Sequence, residues 1–235
     1  IHKLIASFFR VNRSGANKEF FLLQALDTIL WLRRWEVKLD PATKVLDLGC
    51  GFGEIGGELA KLGCQVTLAD DDSFVRPEYA NVPFRRFNID RDDFQALGEY
   101  DLVVCSNVLE HLSKPERLIA AIPKLIKPNG TFYLSWTNWL SPYGGHEYAP
   151  FHFLGSKFAG RVKDKWLRGP RSHTIYKDLF PTYIGTTLRQ IGANPQLRVA
   201  RRAPRYYPEL AFIMYLPLLR EFLAWNCVIL TSRRP

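Results

Sequence analysis

Two sets of residues have types and spacing suited to chemistry. The first is the run VLDLGCGFG at 45 to 53, where Asp47, Gly49, Gly51 and Gly53 occupy every second position. Glycines at that interval let the backbone turn sharply and approach a ligand closely, because a Cβ would stand in the way. Such a loop also occurs in dinucleotide-binding folds and in ordinary tight turns. Asp70 adds to it: about 20 residues further on, at the end of the next apolar run, its carboxylate could accept both hydroxyl hydrogen bonds of a ribose or cap the following turn. The second set is Gly144-Gly145-His146-Glu147, with His152 close behind. Imidazole is the natural proton acceptor near neutral pH, and a positioned base typically contributes about 10²- to 10⁴-fold to rate. Of the five histidines (His2, His111, His146, His152 and His173), His146 is preceded by glycines that allow a close loop approach and is followed by a carboxylate. It is the candidate base, with Glu147 or His152 orienting it or binding an acceptor; alternatively His146 and Glu147 fasten a long insertion to the domain. His146, Glu147 and His152 lack the HExxH spacing that puts two imidazoles on one helical face, so no metal is expected there. His111, within LEHL, reads as part of a structural turn.

These residues need a frame. Apolar positions at helical spacing over 17 to 38 predict a covering helix, with Asn17 a candidate N-cap and Asp40-Pro41 closing the segment. KVLDLGC then reads as a buried strand, GEIGGELAKLG as a helix ending at Gly63 and CQVTLAD as a second strand. FRRFNID is a weaker third strand and YDLVVCSN a strong fourth. KPERLIAAIPKLIKPNG predicts a helix with Pro115 in its first turn and an exit at Pro128 and Gly130, followed by GTFYLSWTN as a fifth strand. This alternation predicts an α/β fold with a mostly parallel sheet and helices on both faces, in which ligands sit at the carboxyl ends of strands near the switch point. Beyond Asn138 the rhythm breaks. An insertion over about 138–180 separates the fifth strand from the helix PTYIGTTLRQIG, and a long insertion at a strand's carboxyl end usually serves the substrate side. QLRVARRA, the amphipathic stretch PELAFIMYLPLLREFLA and the strand WNCVILTS complete the chain. The domain organisation that follows is a helical covering segment over 1–40 and one catalytic domain over 41–235.

At 235 residues and 47% hydrophobic content the chain can bury a substantial core. No apolar run reaches the roughly 18 residues of a membrane-spanning helix, and the N-terminal residues lack a signal peptide's apolar core and cleavage site, which favours the cytoplasm. Cys50, Cys64, Cys105 and Cys227 are scattered without metal-ligand spacing and read as buried thiols. The net charge of +9 is concentrated: Lys157 to Arg205 holds twelve Lys or Arg against only Asp164 and Asp178. Such a segment suits an anionic partner (a phosphate-bearing substrate, a membrane surface or nucleic acid) or is a solvated surface.

VLDLGCGFG, Asp70, the NID at 88 to 90 and YDLVVCSNVLEHL at 100 to 112 together resemble, in order over residues 44 to 137, the motifs of class I S-adenosylmethionine (SAM)-dependent methyltransferases. The resemblance implies a Rossmann-like, seven-stranded sheet with an insertion after strand 5, SAM as methyl donor and S-adenosyl-L-homocysteine as product. It implies that Gly49, Gly51 and Gly53, with Cys50 in the same loop, pass close to the methionine part of the donor. Asp70, with Asp71 beside it, holds the ribose, and Asp47 orients the glycine loop. Ile89 and Asp90 flank the adenine, Asp90 near its exocyclic amine, a place that Asp92 or Asp93 could take instead. Ser106 and Asn107 lie beside the sulfonium. The run SWTNWLSPYGGHEYAPFHFLG, PRYYPEL and LPLLREFLAWNCVIL resemble an actinobacterial-type subgroup carrying a Gly-Gly-His-Glu insert, with glycan or lipid-linked acceptors among those suggested for it.

Enzymes that methylate nucleobase amines commonly carry an Asn/Asp-Pro-Pro-aromatic run after the fourth strand, and SNVLEH stands here instead. Nucleobase amines are therefore disfavoured, and the resemblance to the Gly-Gly-His-Glu subgroup implies as acceptor a hydroxyl of a glycan, a lipid-linked molecule or another small amphipathic molecule. Phe158, Lys163, Lys165, Trp166, Arg168 and Tyr176 interleave as in single-strand binders, so RNA is the alternative substrate, and a non-catalytic SAM-binding adaptor the alternative class. A nicotinamide dehydrogenase would carry GxGxxG and a second nucleotide-binding half, and neither is present. Glu209 to Leu230 is apolar but interrupted by Pro217, Arg220 and Glu221, each charge costing about 2.5 to 3.5 kcal/mol at a bilayer centre. It should not span, and either lies at the inner membrane face with the basic segment toward anionic headgroups or packs on the sheet. Oligomeric state is not legible.

Overall fold

The computed structural model describes residues 17–167 and 173–234; His2 and the stretch of the basic segment at 168–172 lie outside them. Its elements are α1 (Asn17–Arg34), β1 (Lys44–Leu48), α2 (Glu54–Lys61), β2 (Gln65–Asp70), β3 (Phe84–Arg86), β4 (Tyr100–Ser106), α3 (Pro115–Leu125), β5 (Ile126–Thr137), α4 (Ser156–Val162), α5 (Ile184–Ala193), β6 (Leu197–Pro204), α6 (Pro217–Leu223) and β7 (Asn226–Arg233). The strands form one seven-stranded sheet in the order β3-β2-β1-β4-β5-β7-β6. β1 runs parallel to β2 and β4, and β2 parallel to β3, whereas β6 and β7 pair antiparallel. Chain order reverses between β1 and β4, which creates the switch point where such sheets bind ligands.

Contacts divide the described residues into two compact units, 17–106 with 123–133 in the first and 107–122 with those from 134 onward in the second. In the first, β1 and β4 are near-continuous apolar runs because a parallel strand is covered on both faces. Leu46, Leu48, Leu68, Leu102, Val103 and Val104 are fully buried. α1 packs on α2 through a face that buries Ala25, Ile29 and Leu32. The covering helix is thus part of this unit. It ends at Arg34 rather than Lys38, because Glu36 adopts a left-handed φ of 58° and the Val37 N–H turns back to Leu32 O at 2.9 Å.

The second unit contains the insertion, which builds a small core of its own from Trp139, Tyr148, Ala159, Ile175 and Leu179, with Leu140, Phe151 and Tyr183 packed against it. A segment of this length stays ordered only if it buries apolar surface. β7 supplies buried Val228, Ile229 and Leu230 to the rest of the unit.

Three elements depart from expectation. β3 is only three residues long, and FNID continues as a turn. β5 begins at Ile126, ahead of Pro128, which sits close enough to the strand start that its missing N–H costs little. The apolar stretch at 208–223 is not one amphipathic helix: a 3₁₀ turn at Pro208–Tyr215 stops at extended Leu216, and α6 restarts at Pro217. Proline disfavours helical backbone in the residue before it, which breaks the helix there. Among the described residues no helix is long and apolar enough to cross a membrane.

Candidate active site

The glycine loop bridges β1 and α2. Gly49, Gly51 and Gly53 all take positive φ (73°, 52° and 83°), the region that side chains disfavour. Gly49 and Cys50 donate to Ala69 O at 2.8 and 3.2 Å, tying the turn to the end of β2. At Gly51 a Cβ would meet no protein atom within 4 Å, so open space lies in front of the loop backbone there. The loop's aromatic residue, Phe52, packs edge-on against Phe21 of α1 at 5.1 Å, and the Arg76 guanidinium lies 4.7 Å from its ring centre. The covering helix therefore braces the turn.

Two carboxylates hold this loop from either end. Asp47 is buried and accepts the Gly56 N–H at 2.7 Å, so it fixes the first turn of α2 rather than a loop glycine. Burial pushes its carboxyl up to about 7, against the Gly56 hydrogen bond, with Asp70 and Glu54 adding repulsion. Asp70, at the end of β2, accepts the Gly51 N–H at 2.7 Å through Oδ2 and the Asp71 N–H at 2.8 Å through Oδ1. Ribose grip and turn cap, the two sequence alternatives, are compatible, because each carboxylate oxygen has two lone pairs. Burial holds the Asp70 carboxyl above its ordinary value. Cys50 is buried and its thiol is pushed well up by burial, so it lines the loop as an apolar group rather than a nucleophile. The other three cysteines are also buried free thiols, as expected.

Beyond β3, the Asn88 N–H donates to Asp92 Oδ2 at 2.8 Å, and Asn88 Oδ1 accepts the Asp90 N–H at 3.1 Å. Asp93 caps the 3₁₀ turn at Phe94–Leu97 by accepting the Gln95 N–H at 3.1 Å. Asp92 and Asp93 thus serve the turn. Ile89 is buried beside Asp90. Asp71 is exposed, and its carbonyl accepts from Arg86 at 2.9 Å. Ser106 closes β4. Asn107, the next residue, takes φ 55°; its N–H donates to Ser135 O at 2.8 Å, and its Oδ1 accepts from Asn226 at 2.8 Å. Asn226, 119 positions away, was not legible as part of the site.

The second unit holds the histidines. His146 opens the 3₁₀ turn His146–Tyr148 with φ 49°, and its ring stacks on His111 (centroids 5.3 Å apart) and His173 (5.0 Å). His111 and His173 are 4.9 Å apart. Burial, then the His173 and His111 rings, drive His146 down to about 3, so it is neutral throughout the physiological range. Glu147 engages His173, accepting its backbone N–H at 2.7 Å and meeting Nδ1 at 3.0 Å. Burial raises the Glu147 carboxyl, but the His173 contact and backbone hydrogen bonds together outweigh it and leave the carboxyl at about 2, while His173 is raised by the same contact. His152 is buried, with Nε2 2.8 Å from Trp139 O and its ring edge-on to Trp139; a Cβ on Gly145 would collide with that ring. His152 thus packs the insertion's core, and burial lowers its basicity. Sequence reasoning missed His173 and Glu110 and left His111 as a turn residue. The signal for the last two was LEH at the carboxyl end of a strong strand.

A mostly parallel sheet with a glycine turn after its first strand and a carboxylate at the end of its second is the frame of a nucleotide-binding α/β enzyme, and comparison with known proteins narrows it to the class I methyltransferases. A family model described as a methyltransferase domain matches residues 18–200. An uncharacterized methyltransferase of Mycobacteroides abscessus is 31% identical, covering 96% of this chain and 91% of the relative. One from Mycobacterium marinum is 34% identical, covering 81% and 76%. Among solved structures, a SAM-dependent methyltransferase from Mesorhizobium loti has a similar fold (TM-score 0.59, 19% identity, 86% of this chain and 95% of that one). So does magnesium protoporphyrin IX methyltransferase from Synechocystis with bound SAH (TM-score 0.57, 17% identity, 91% and 84%). The chain belongs to the methyltransferase-domain family and is a SAM-dependent methyltransferase.

Proposed function

We propose that the chain methylates a hydroxyl of an amphipathic acceptor, lipid-linked or glycan-bearing. The observation that carries this reading is an apolar ledge in the second unit. Leu210, Phe212, Tyr215 and Leu216 of the 3₁₀ segment and its end, and Leu218, Leu219, Phe222 and Leu223 of α6, are all exposed, Leu218 by 79%. Monomeric soluble proteins seldom leave a contiguous apolar patch of several hundred Å² without a use for it. β6, which packs against the 3₁₀ segment, exposes Arg198 and Arg201, and the Arg202 guanidinium lies 4.0 Å from the Tyr215 ring centre. An acyl or isoprenoid tail suits the ledge and a phosphate suits the arginines. This favours a lipid-linked acceptor and peripheral contact with the inner membrane face over RNA.

The donor's sulfonium is already an activated leaving group, so positioning supplies most of the catalysis. Gly49, Cys50, Gly51 and Gly53 receive its methionine part, Asp70 with Asp71 its ribose, Ile89 and Asp90 its adenine, and Ser106 and Asn107 its charged centre. The acceptor hydroxyl must lose a proton as the methyl group arrives, and His146 is the group we assign to it. Its neutral ring has a lone pair that can accept the proton, against the burial and neighbouring rings that disfavour its charged form, while Glu147 acts through His173 and His152 through the insertion's packing. Lipid and glycan extracts incubated with protein and isotopically labelled methyl donor test the reading. A lipid-linked or glycan product heavier by one methyl group, with turnover reduced at least tenfold by His146→Asn, is expected. Labelled RNA with unlabelled lipid and glycan fractions would overturn it. Turnover within twofold of wild type in that variant would remove His146 from the chemistry.

A further inference from the structure

The turn at Leu109–His111 directs Glu110 into the second unit, where it is 1% exposed. Its Oε1 accepts the Thr137 N–H at 2.9 Å, but Oε2 is buried and has no hydrogen-bond partner among the described residues. His146 Nδ1 is likewise buried without a partner. A buried carboxylate oxygen and a buried imidazole nitrogen are seldom left unpaired in a folded protein, so something ordinarily satisfies them. His111 narrows what that is. Its Nδ1 lies 2.7 Å from Asp178 O, and a carbonyl only accepts, so Nδ1 is the donor and, in the neutral tautomer this selects, Nε2 is the nitrogen open to a ligand.

One ligand atom from each of Glu110, His111 and His146 lies within 4.8 Å of the other two. Atoms bound to one ion at about 2.1 Å stand about 3.0 to 3.4 Å apart, so closing the set takes movements on the order of 1 Å. We propose that Glu110, His111 and His146 bind a divalent transition-metal ion of the zinc or manganese class through two imidazoles and one carboxylate. The outer contacts suit this role: a backbone carbonyl fixes the His111 tautomer, and the Thr137 N–H orients Glu110. His146 is held at φ 49°, a left-handed conformation that a non-glycine residue keeps only when its surroundings fix it. Sequence spacing gave no metal motif because the carboxylate and one imidazole are adjacent on one turn, while the second imidazole comes from the insertion.

The consequence for catalysis, and that alone, rests on the hydroxyl reading above. Three protein ligands would leave positions open for an acceptor oxygen, whose proton a bound ion would make more acidic, and His146, the base in the reading above, would then assist the loss of that proton as a ligand of the ion. The binding test needs no acceptor. Chelator-stripped protein is titrated with Co²⁺ and with Zn²⁺, following the Co²⁺ ligand-field absorption and the heat of Zn²⁺ binding. One equivalent is expected to bind, with affinity at least tenfold weaker in Glu110→Gln and in His146→Asn, each shown to be folded by circular dichroism. No uptake by folded wild-type protein, or uptake undiminished in both variants, would overturn the site. Undiminished hydroxyl methylation by stripped protein would remove the ion and keep the acceptor reading. Stoichiometric metal binding lost in the variants would keep the site even if no hydroxyl compound were ever methylated.

Discussion

Gly51 separates backbone strain from ligand contact. Its φ of 52° penalises a side chain, yet a Cβ there meets no protein atom within 4 Å. Gly51→Ala should therefore lower stability by only about 1 kcal/mol, the cost of a left-handed alanine. Affinity for S-adenosylhomocysteine should fall by at least tenfold, because the methyl group enters the space the backbone leaves for the donor. Urea unfolding and calorimetry on the same sample check the pair. A large loss of stability with unchanged affinity would mean that the loop is only a structural turn. The histidines teach a related lesson. His146 stood out in the sequence through its glycines and following carboxylate, but its neighbours His111 and His173 lie 35 and 27 positions away, and only folding brings the three rings within 5.3 Å.

At the level of elements, charges that read as interruptions turn out to be fasteners. Glu221 looked like a break in an apolar stretch. In the fold it reaches the start of α5 and accepts the Ile184 N–H at 3.0 Å and the Gly185 N–H at 2.6 Å. Asn138, at the root of the insertion, joins them by accepting the Ile184 N–H at 3.2 Å and donating to Glu221 O. A carboxylate at a helix N-terminus satisfies orphan amides and opposes the helix dipole. Glu221→Ala should lower unfolding stability by about 1 to 3 kcal/mol, read as a shift of the urea midpoint, because the Gly185 N–H loses its acceptor and the Ile184 N–H keeps only its longer bond to Asn138. A midpoint within experimental scatter of wild type would mean that water replaces the cap. The basic segment was likewise read as one surface, yet Arg205 is fully buried, with a hydrogen bond to Ser135 Oγ at 3.2 Å, and Lys163 is buried too. Composition counts charges without saying which of them face water.

For the molecule as a whole, the question is whether the apolar ledge meets a membrane. A net charge of +9 and exposed arginines on β6 favour anionic headgroups, and exposed leucines and phenylalanines favour the acyl boundary. The protein is expected to float with anionic liposomes at low salt and to stay in solution with zwitterionic ones. Leu218→Glu combined with Phe222→Glu should abolish flotation without changing the affinity for S-adenosylhomocysteine. If wild-type protein ignores anionic vesicles at low salt, the ledge has another partner and the lipid-linked reading loses its support.

What the sequence determined by itself was local and periodic. Apolar runs, glycine spacing and the alternation of strand and helix gave the sheet, the glycine turn and the place of Asp70 at the end of β2, because β1, its loop and β2 are contiguous in the chain and their hydrogen bonds follow from strand pairing. Tertiary structure decided what depends on distant groups meeting. It put Asn226 against Asn107, Glu147 on His173 and Glu110 beside His146, and it broke the C-terminal stretch at Pro217. Side-chain partners across such separations leave no periodic trace. They are chosen by packing and by the need to satisfy buried polar groups, which exist only once the chain has closed on itself.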